Sequence, residues 1–344
     1  DLLPDYYNFV RGVVDSEDVS LNISRETLQH DRQLHAIARR IEKKITDDLC
    51  DMRDNDREAY EKFFENFGRG LKFGIYNTYG GKADELGDLL LFWSAKEQKM
   101  VTLREYAEAM PDGQKAVYYA AGDDRERLSK MPVVTGVLAR GYDVLLCTQD
   151  VDEFTFQAMR EYVARDMPKI YEDDAAREAA ERAQADGAEP ETEDRHLELK
   201  NVVTGDLDLA SEDEKKEAEE ATESNAELFG IMQEALDGKV ERVVVSTRLT
   251  DAPAVVTSEG GMSLAMVQVL KSQPGTDELP EMHLVLEVNA KHPVFATLQA
   301  AHEAGDDEKV RTYAGLLFDQ ALLVEGILPD NPLAFAQAVA ELMK

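Results

Sequence analysis

Residues 115–163 read KAVYYAAGDDRERLSKMPVVTGVLARGYDVLLCTQDVDEFTFQAMREYV, and this stretch decides the fold class. KAVYYAAG (115–122) and YDVLLCTQ (142–149) are near-continuous apolar runs, the pattern of strands buried on both faces. Between them DRERLSKMPVVTGVLAR (124–140) has helical spacing, with Pro132 expected to interrupt or kink it. VDEFTFQAMREYV (151–163) is helical again. Strand–helix–strand–helix predicts a small α/β unit with a parallel strand pair.

Upstream, 31–52 carries Leu34, Ile37, Ala38, Ile41, Ile45, Leu49 and Met52, one apolar helical stripe. A second helix is expected over 56–67, stopping at Gly68 and Gly70. A turn follows at Gly80-Gly81, then a short helix with Leu86, Leu89, Leu90 and Trp93. Thr102 and Glu105 have capping-box spacing. Downstream, 172–194 (EDDAAREAAERAQADGAEPETED) holds no large apolar residue and reads as a flexible or solvated linker. HLELKNVVTGDLDL (196–209) suggests a short strand pair, and Ser211 with Glu214 a second capping box. From 222 onward a helix precedes the strands RVVVSTRL and APAVVTS, joined by a turn at Thr250–Pro253. The helix EGGMSLAMVQVLKSQ, a third strand MHLVLEVN and helices near 307–326 and 332–343 complete the chain. The expectation is a multidomain α/β and α+β fold. It has a helical segment (1–110), a small α/β/α unit (111–170), an acidic linker region with short strands (171–221) and an α+β C-terminal domain (222–344). The last carries a three-stranded sheet and a dimerising helix pair.

The 344 residues are 43% hydrophobic and 31% charged, with a net charge of −32. Such acidity disfavours nucleic acid as a partner, because phosphate binding needs clustered Lys and Arg. No apolar run reaches the roughly 18 residues of a membrane span. Cys50 and Cys147 have no metal or redox spacing, so a reducing cytoplasm is expected. The chain opens on Asp1 and is expected to be part of something longer.

Six histidines (30, 35, 196, 283, 292 and 302) form no ligand motif, and no phosphate loop or nucleophile elbow is present. The chain alone is therefore not expected to be an enzyme, and no metal is expected in it. A self-sufficient enzyme built on 115–163 is disfavoured because neither strand is followed by a glycine-rich phosphate turn. Three features remain. Arg25 follows Ser24 in the first turn of a helix, where a cation is disfavoured by the macrodipole. It is either a surface side chain or, with Gln29 on the same face, part of an anion site. Met262, Met266, Val269 and Leu270 form one stripe, either core-facing or an adaptable contact surface. The terminal helix 333–343, with Phe335, Val339 and Leu342, needs a cover. The preceding helix offers Leu316, Leu317, Leu322 and Leu323, and a twofold four-helix bundle is the expected solution.

LLPDYYNFVRGVVDSEDVSLNISRETLQ closely resembles a signature of the HtpG family, bacterial heat-shock chaperones of the ninety-kilodalton class. The resemblance continues in GQKAVYYAAGD, YDVLLCTQDVDEF, VERVVVSTRLTDAPAVV, LEVNAKHPVF and LLFDQALLVEGILPDNPLAF. It implies the later part of a middle domain plus a C-terminal dimerisation domain of an ATP-dependent chaperone. ATP and Mg would be held by an N-terminal domain outside this chain. Arg25, with Gln29, matches the family's contact to the ATP γ-phosphate. Phe154 and Gln157 match client-contacting positions, and Met262, Met266, Val269 and Leu270 match a client-binding helix. Phe154 stands where a tryptophan or tyrosine is usual. The implied partners are unfolded clients and a second copy of the chain, without nucleic acid or membrane. The alternative is a dimerisation scaffold without client binding.

Overall fold

The two long N-terminal helices, α1 (Arg32–Asn55) and α2 (Arg57–Asn77), meet at Asp56. Asp56 caps the second, its carboxylate accepting from the Ala59 amide at 3.2 Å. The computed structural model describes residues 2–15, 32–171, 174–185, 187–204, 207, 209–259, 262–272 and 282–343. After α2 come α3 (Ala83–Leu86), β1 (Leu91–Ser94), β2 (Lys99–Thr102), α4 (Leu103–Glu108) and β3 (Ala116–Ala121). Next are α5 (Arg125–Lys130), α6 (Pro132–Ala139), β4 (Leu145–Cys147), α7 (Asp152–Met159) and β5 (Glu161–Pro168). Then follow α8 (Asp174–Ala185), β6 (Thr192–Asn201), α9 (Glu212–Ser224) and α10 (Ala226–Ala235). The chain continues with β7 (Arg242–Val245), β8 (Ala254–Glu259), α11 (Leu264–Ser272) and β9 (His283–Val288). It closes with α12 (Pro293–Glu303), α13 (Asp307–Val324) and α14 (Pro332–Leu342). The strands form a six-stranded sheet, ordered β2-β1-β4-β3-β6-β5, and a three-stranded sheet, ordered β7-β9-β8. The fold is mixed α/β with two compact units.

The first unit takes residues 1–94, 98–117 and 151–199. In it α2 runs on through Gly68 and Gly70 to Asn77, where an earlier stop was expected. Gly68 and Gly74 serve close approach rather than termination. A Cβ at Gly74 would lie 2.7 Å from the Tyr6 ring, and one at Gly68 2.7 Å from the Phe64 ring. Residues 91–102 are a hairpin and not the expected helix end; Trp93 pairs with Met100 across it. The Thr102–Glu105 capping box forms in both directions. Within the stretch expected to be a linker, Asp174–Ala185 form helix α8 and Thr192 opens β6, which pairs antiparallel with β5 from Glu161↔Glu198 to Pro168↔Thr192. α8 needs no apolar face, because alanine, glutamate and arginine favour the helix intrinsically and Glu178–Arg182 pair one turn apart at 3.0 Å.

The second unit takes residues 95–97, 118–150 and 200–344. β3 and β4 form the expected parallel pair, Tyr119↔Leu145 to Ala121↔Cys147. Pro132 sits at the first position of α6 and divides the expected helix in two. β7 and β8 are not neighbours; β9 lies between them, parallel to β7 and antiparallel to β8. α12, unforeseen, starts at Pro293 with His292 as its cap. The core joins α10 (Phe229, Met232), the sheet (Val256, Leu286, Val288), α12 (Phe295, Leu298) and α13 (Ala314, Leu317, Phe318, Leu322). Among the described residues no helix is long and apolar enough to cross a membrane.

Candidate functional site

Arg25 and Gln29 lie outside the described residues. The other candidate side chains fall on α7, on and just before α11, and on α13 and α14.

α7 is anchored by an ion pair, not by an N-cap side chain. Val151 provides no cap bond, and Asp152 instead meets Lys72 of α2 at 2.5 Å, the two side chains 2% and 3% exposed. The Lys72 ammonium also lies 4.7 Å from the Phe92 ring centre and 5.3 Å from that of Phe64. Thr155 turns its hydroxyl to the Val151 carbonyl at 2.8 Å, and Phe156 stacks on Phe92 at 4.7 Å. With the inner face fixed in this way, Phe154 and Gln157, three residues apart, share the outer face. Gln157 is exposed and Phe154 half-buried. The Phe154 ring meets Tyr76 of α2 edge-on at 5.6 Å.

The methionine stripe of α11 is not an open surface. Met266 is buried, while Met262, Val269 and Leu270 are half-buried. Ser263 explains the inward turn: its buried hydroxyl accepts from the Met266 amide at 3.0 Å. Among the described side chains of this helix, Gln268 and Lys271 are the exposed ones.

α13 and α14 divide the C-terminal candidates. Leu317 and Leu322 belong to the core of their own unit, so they are not available to a second chain. Spacing alone groups them with Leu323, which is exposed, because helical periodicity names a stripe but not its edges. Leu316, Phe335 and Val339 are half-buried, and Leu342 is exposed. α14 has no buried residue at all. Leu328, Leu333 and Met343 are 74%, 68% and 80% exposed, extending the apolar surface beyond the expected set.

A cleft of about 520 Å³ lies beside α6 and α9, lined by Arg140, Glu214, Ser246, Arg248 and Lys291 among others. Arg140 grips Glu214 with both terminal nitrogens, at 3.2 and 3.1 Å, and donates to the Leu209 and Thr247 carbonyls at 2.9 Å each. Those hydrogen bonds hold the Glu214 carboxyl down to about 2. With four acceptors, this guanidinium acts as a structural tie. Arg140→Ala should cost about 1–3 kcal/mol, since it strips partners from two carbonyls and a carboxylate. A thermal melt should show the loss, and an NMR titration should show Glu214 returning toward its ordinary range. Unchanged stability would contradict the tie. Among the described residues no three His, Cys, Asp or Glu side chains gather to hold a metal ion.

The family described as Hsp90 protein matches residues 1–198 and 190–344, together the whole chain. The chain belongs to the Hsp90 family. It is 43% identical over 343 residues to the chaperone protein HtpG of Oceanobacillus iheyensis. It is 42% and 44% identical over 344 residues to those of Clostridium botulinum and Clostridium perfringens. Each alignment covers 100% of this chain but 49%, 50% and 49% of the respective relative. This Hsp90-family chain thus spans about half the length of those curated relatives. Neither spacing nor resemblance points to Tyr76 and Tyr79, at and just beyond the end of α2, 40% and 92% exposed. The available signal was FGIYNTYGG (73–81), a stretch without charge in a chain that is 31% charged.

Proposed function

We propose that this chain serves an ATP-dependent molecular chaperone, as a client-binding and self-associating part of a cytoplasmic homodimeric clamp. The observation that carries the reading is the match along the whole chain to proteins named chaperone HtpG. In this reading Arg25 and Gln29 reach the γ-phosphate of an ATP, with its Mg, held by a domain outside these residues. The arginine would neutralise charge developing in phosphoryl transfer. Clients would meet Phe154 and Gln157 on α7, together with the open parts of Met262, Val269 and Leu270; Met266 would support that surface from beneath. Nucleotide binding would bias a two-state clamp through contacts made only in its closed form. No nucleic acid or membrane partner is proposed.

α14 supports the homodimer. An exposed helix bearing Leu333, Leu342 and Met343 presents more apolar surface than a lone terminal helix ordinarily leaves to water. Light scattering of the chain should give a dimer, and deletion of 332–344 should give a monomer. A concentration-independent monomer from the intact chain would overturn self-association through α14. The chaperone reading is tested separately, by suppression of aggregation of a heat-denatured protein. Suppression should fall with Phe154→Ala, and its absence in the parent chain would reject client binding.

A further inference from the structure

α2 ends on an unusual residue. The Gly80 amide bonds the Ile75 carbonyl at 3.0 Å and the Tyr79 amide bonds the Tyr76 carbonyl at 2.9 Å. These two bonds define a Schellman terminus with Tyr79 in the left-handed position, at φ 52. Glycine is the residue that takes this position without steric strain, and the next residue is a glycine. The side chain that is strained into place is 92% exposed, so burial does not compensate for it. Strain held at the surface points to a use for the side chain.

The neighbourhood supplies the use. Arg69, Phe73 and Tyr76 lie on one face of α2, at intervals of four and three residues. The Arg69 guanidinium sits 5.4 Å from the Phe73 ring centre, Phe73 meets Tyr76 at 6.4 Å, and Tyr76 meets Phe154 at 5.6 Å. Gly80 fixes the end of this row. A Cβ there would fall 2.2 Å from the Ala158 carbonyl, so the turn bearing Tyr79 is pressed against α7.

We propose that Phe73, Tyr76, Tyr79 and Phe154 form an aromatic ledge that docks an extended, cationic polypeptide segment. The proposal rests on the client-binding reading and adds to it the α2 side of the surface and the charge of what binds. The occupant follows from charge and ring chemistry. A chain of net charge −32 draws basic segments and repels acidic ones. Open ring faces attract guanidinium and ammonium groups. The pose already exists in miniature, where Arg69 covers Phe73. Arg69 occupies the Phe73 ring, which leaves Tyr76, Tyr79 and Phe154 to meet an incoming cation, and the stretch 73–81 itself holds no lysine or arginine.

The test uses fluorescence anisotropy with two labelled 15-residue probes, one alternating arginine with leucine and one alternating glutamate with leucine. The arginine probe should bind at least tenfold more tightly, and less so as salt rises. Tyr79→Gly should raise the melting temperature, because it relieves the backbone, yet weaken the arginine probe severalfold. Tyr76→Ser should weaken it about tenfold without unfolding the chain. Equal binding of both probes, or unchanged binding in Tyr79→Gly and Tyr76→Ser, would overturn the ledge. If those two variants bind normally while Phe154→Ala loses aggregation suppression, the ledge fails and client binding stands. If the parent chain suppresses no aggregation, client binding itself fails.

Discussion

Glu325→Gln should stabilise the chain at neutral pH, and the gain should grow with pH. Glu325 closes α13, in the turn leading to α14. The terminus is another Schellman motif. The Ile327 amide bonds the Leu322 carbonyl at 2.9 Å, and the Gly326 amide bonds that of Leu323 at 3.0 Å. Arg127 of α5 lies over this turn, donating to the Val324 carbonyl at 3.2 Å and to Asp123 at 2.6 Å. A Cβ at Gly326, φ 81, would fall 2.8 Å from the guanidinium carbon. Oε1 of the Glu325 carboxyl is buried and makes no hydrogen bond. Burial pushes it up to about 8 from 4.5, with Arg127 pulling the other way by too little to compensate. For an acid with a raised folded value, the folded state holds the proton over the window from about 4.5 to 8 while the unfolded state does not. Stability thus falls as pH rises through that window and levels off above it. At 1.36 kcal/mol per unit, the cost is about 3 kcal/mol at pH 7 and about 5 kcal/mol at pH 9. Glutamine carries no such cost. Urea melts of parent and variant should converge near pH 4.5 and diverge steadily to about pH 8. Parallel curves would mean that Arg127 pairs with Glu325 well enough to keep it ionised.

How much of this was legible in the sequence depends on the range of the deciding contact. Both capping boxes, at Thr102 and Ser211, could be read because their partners lie three residues away. Pro132 could be read because it acts on its own amide position. The parallel pair β3/β4 could be read from two apolar runs with a helical stretch between them. The order β7-β9-β8 could not, since β9 inserts from some 25 residues beyond β8 and nothing local announces it. Gly68 misled for a different reason: the Phe64 ring that needs its missing Cβ is only four residues back, but comes against it only once α2 is coiled. Leu86, Leu89, Leu90 and Trp93 have helical spacing, but the last of them stands in a strand paired with Met100. At the surfaces, resemblance pointed to Phe154 and Gln157, which share the outer face of α7, and periodicity found the apolar faces of α11 and α13. Neither distinguished Leu322, which is core, from Leu323, which is exposed. That difference is a single step of 100° around α13, set by the sheet on which α13 packs.

Breaking the Lys72–Asp152 pair should be the most damaging single change in the first unit. Both side chains are nearly sealed from water and lie 2.5 Å apart. A buried pair adds little over an apolar replacement, because desolvation consumes its attraction, but half a pair leaves an uncompensated charge. Lys72→Met should therefore cost about 3–5 kcal/mol. Asp152→Asn should cost less. The faces of Phe64 and Phe92 remain against the ammonium and attract a cation, whereas the same faces repel a carboxylate left alone. The double change Lys72→Met with Asp152→Leu should recover most of the loss, since it fills the site without charge. Denaturant melts of the two single variants and the double test this order, and aromatic NMR contacts between Tyr76 and Phe154 report the position of α7 independently. A double variant no better than Lys72→Met would show that the pair stabilises beyond charge compensation. Lys72→Met within 1 kcal/mol of the parent would show that Asp152 finds another cation or takes up a proton without strain. The functional consequence follows from geometry. Asp152 stands two residues before Phe154, so releasing it should loosen the outer face of α7 and weaken whatever binds there, and the double variant should restore both together.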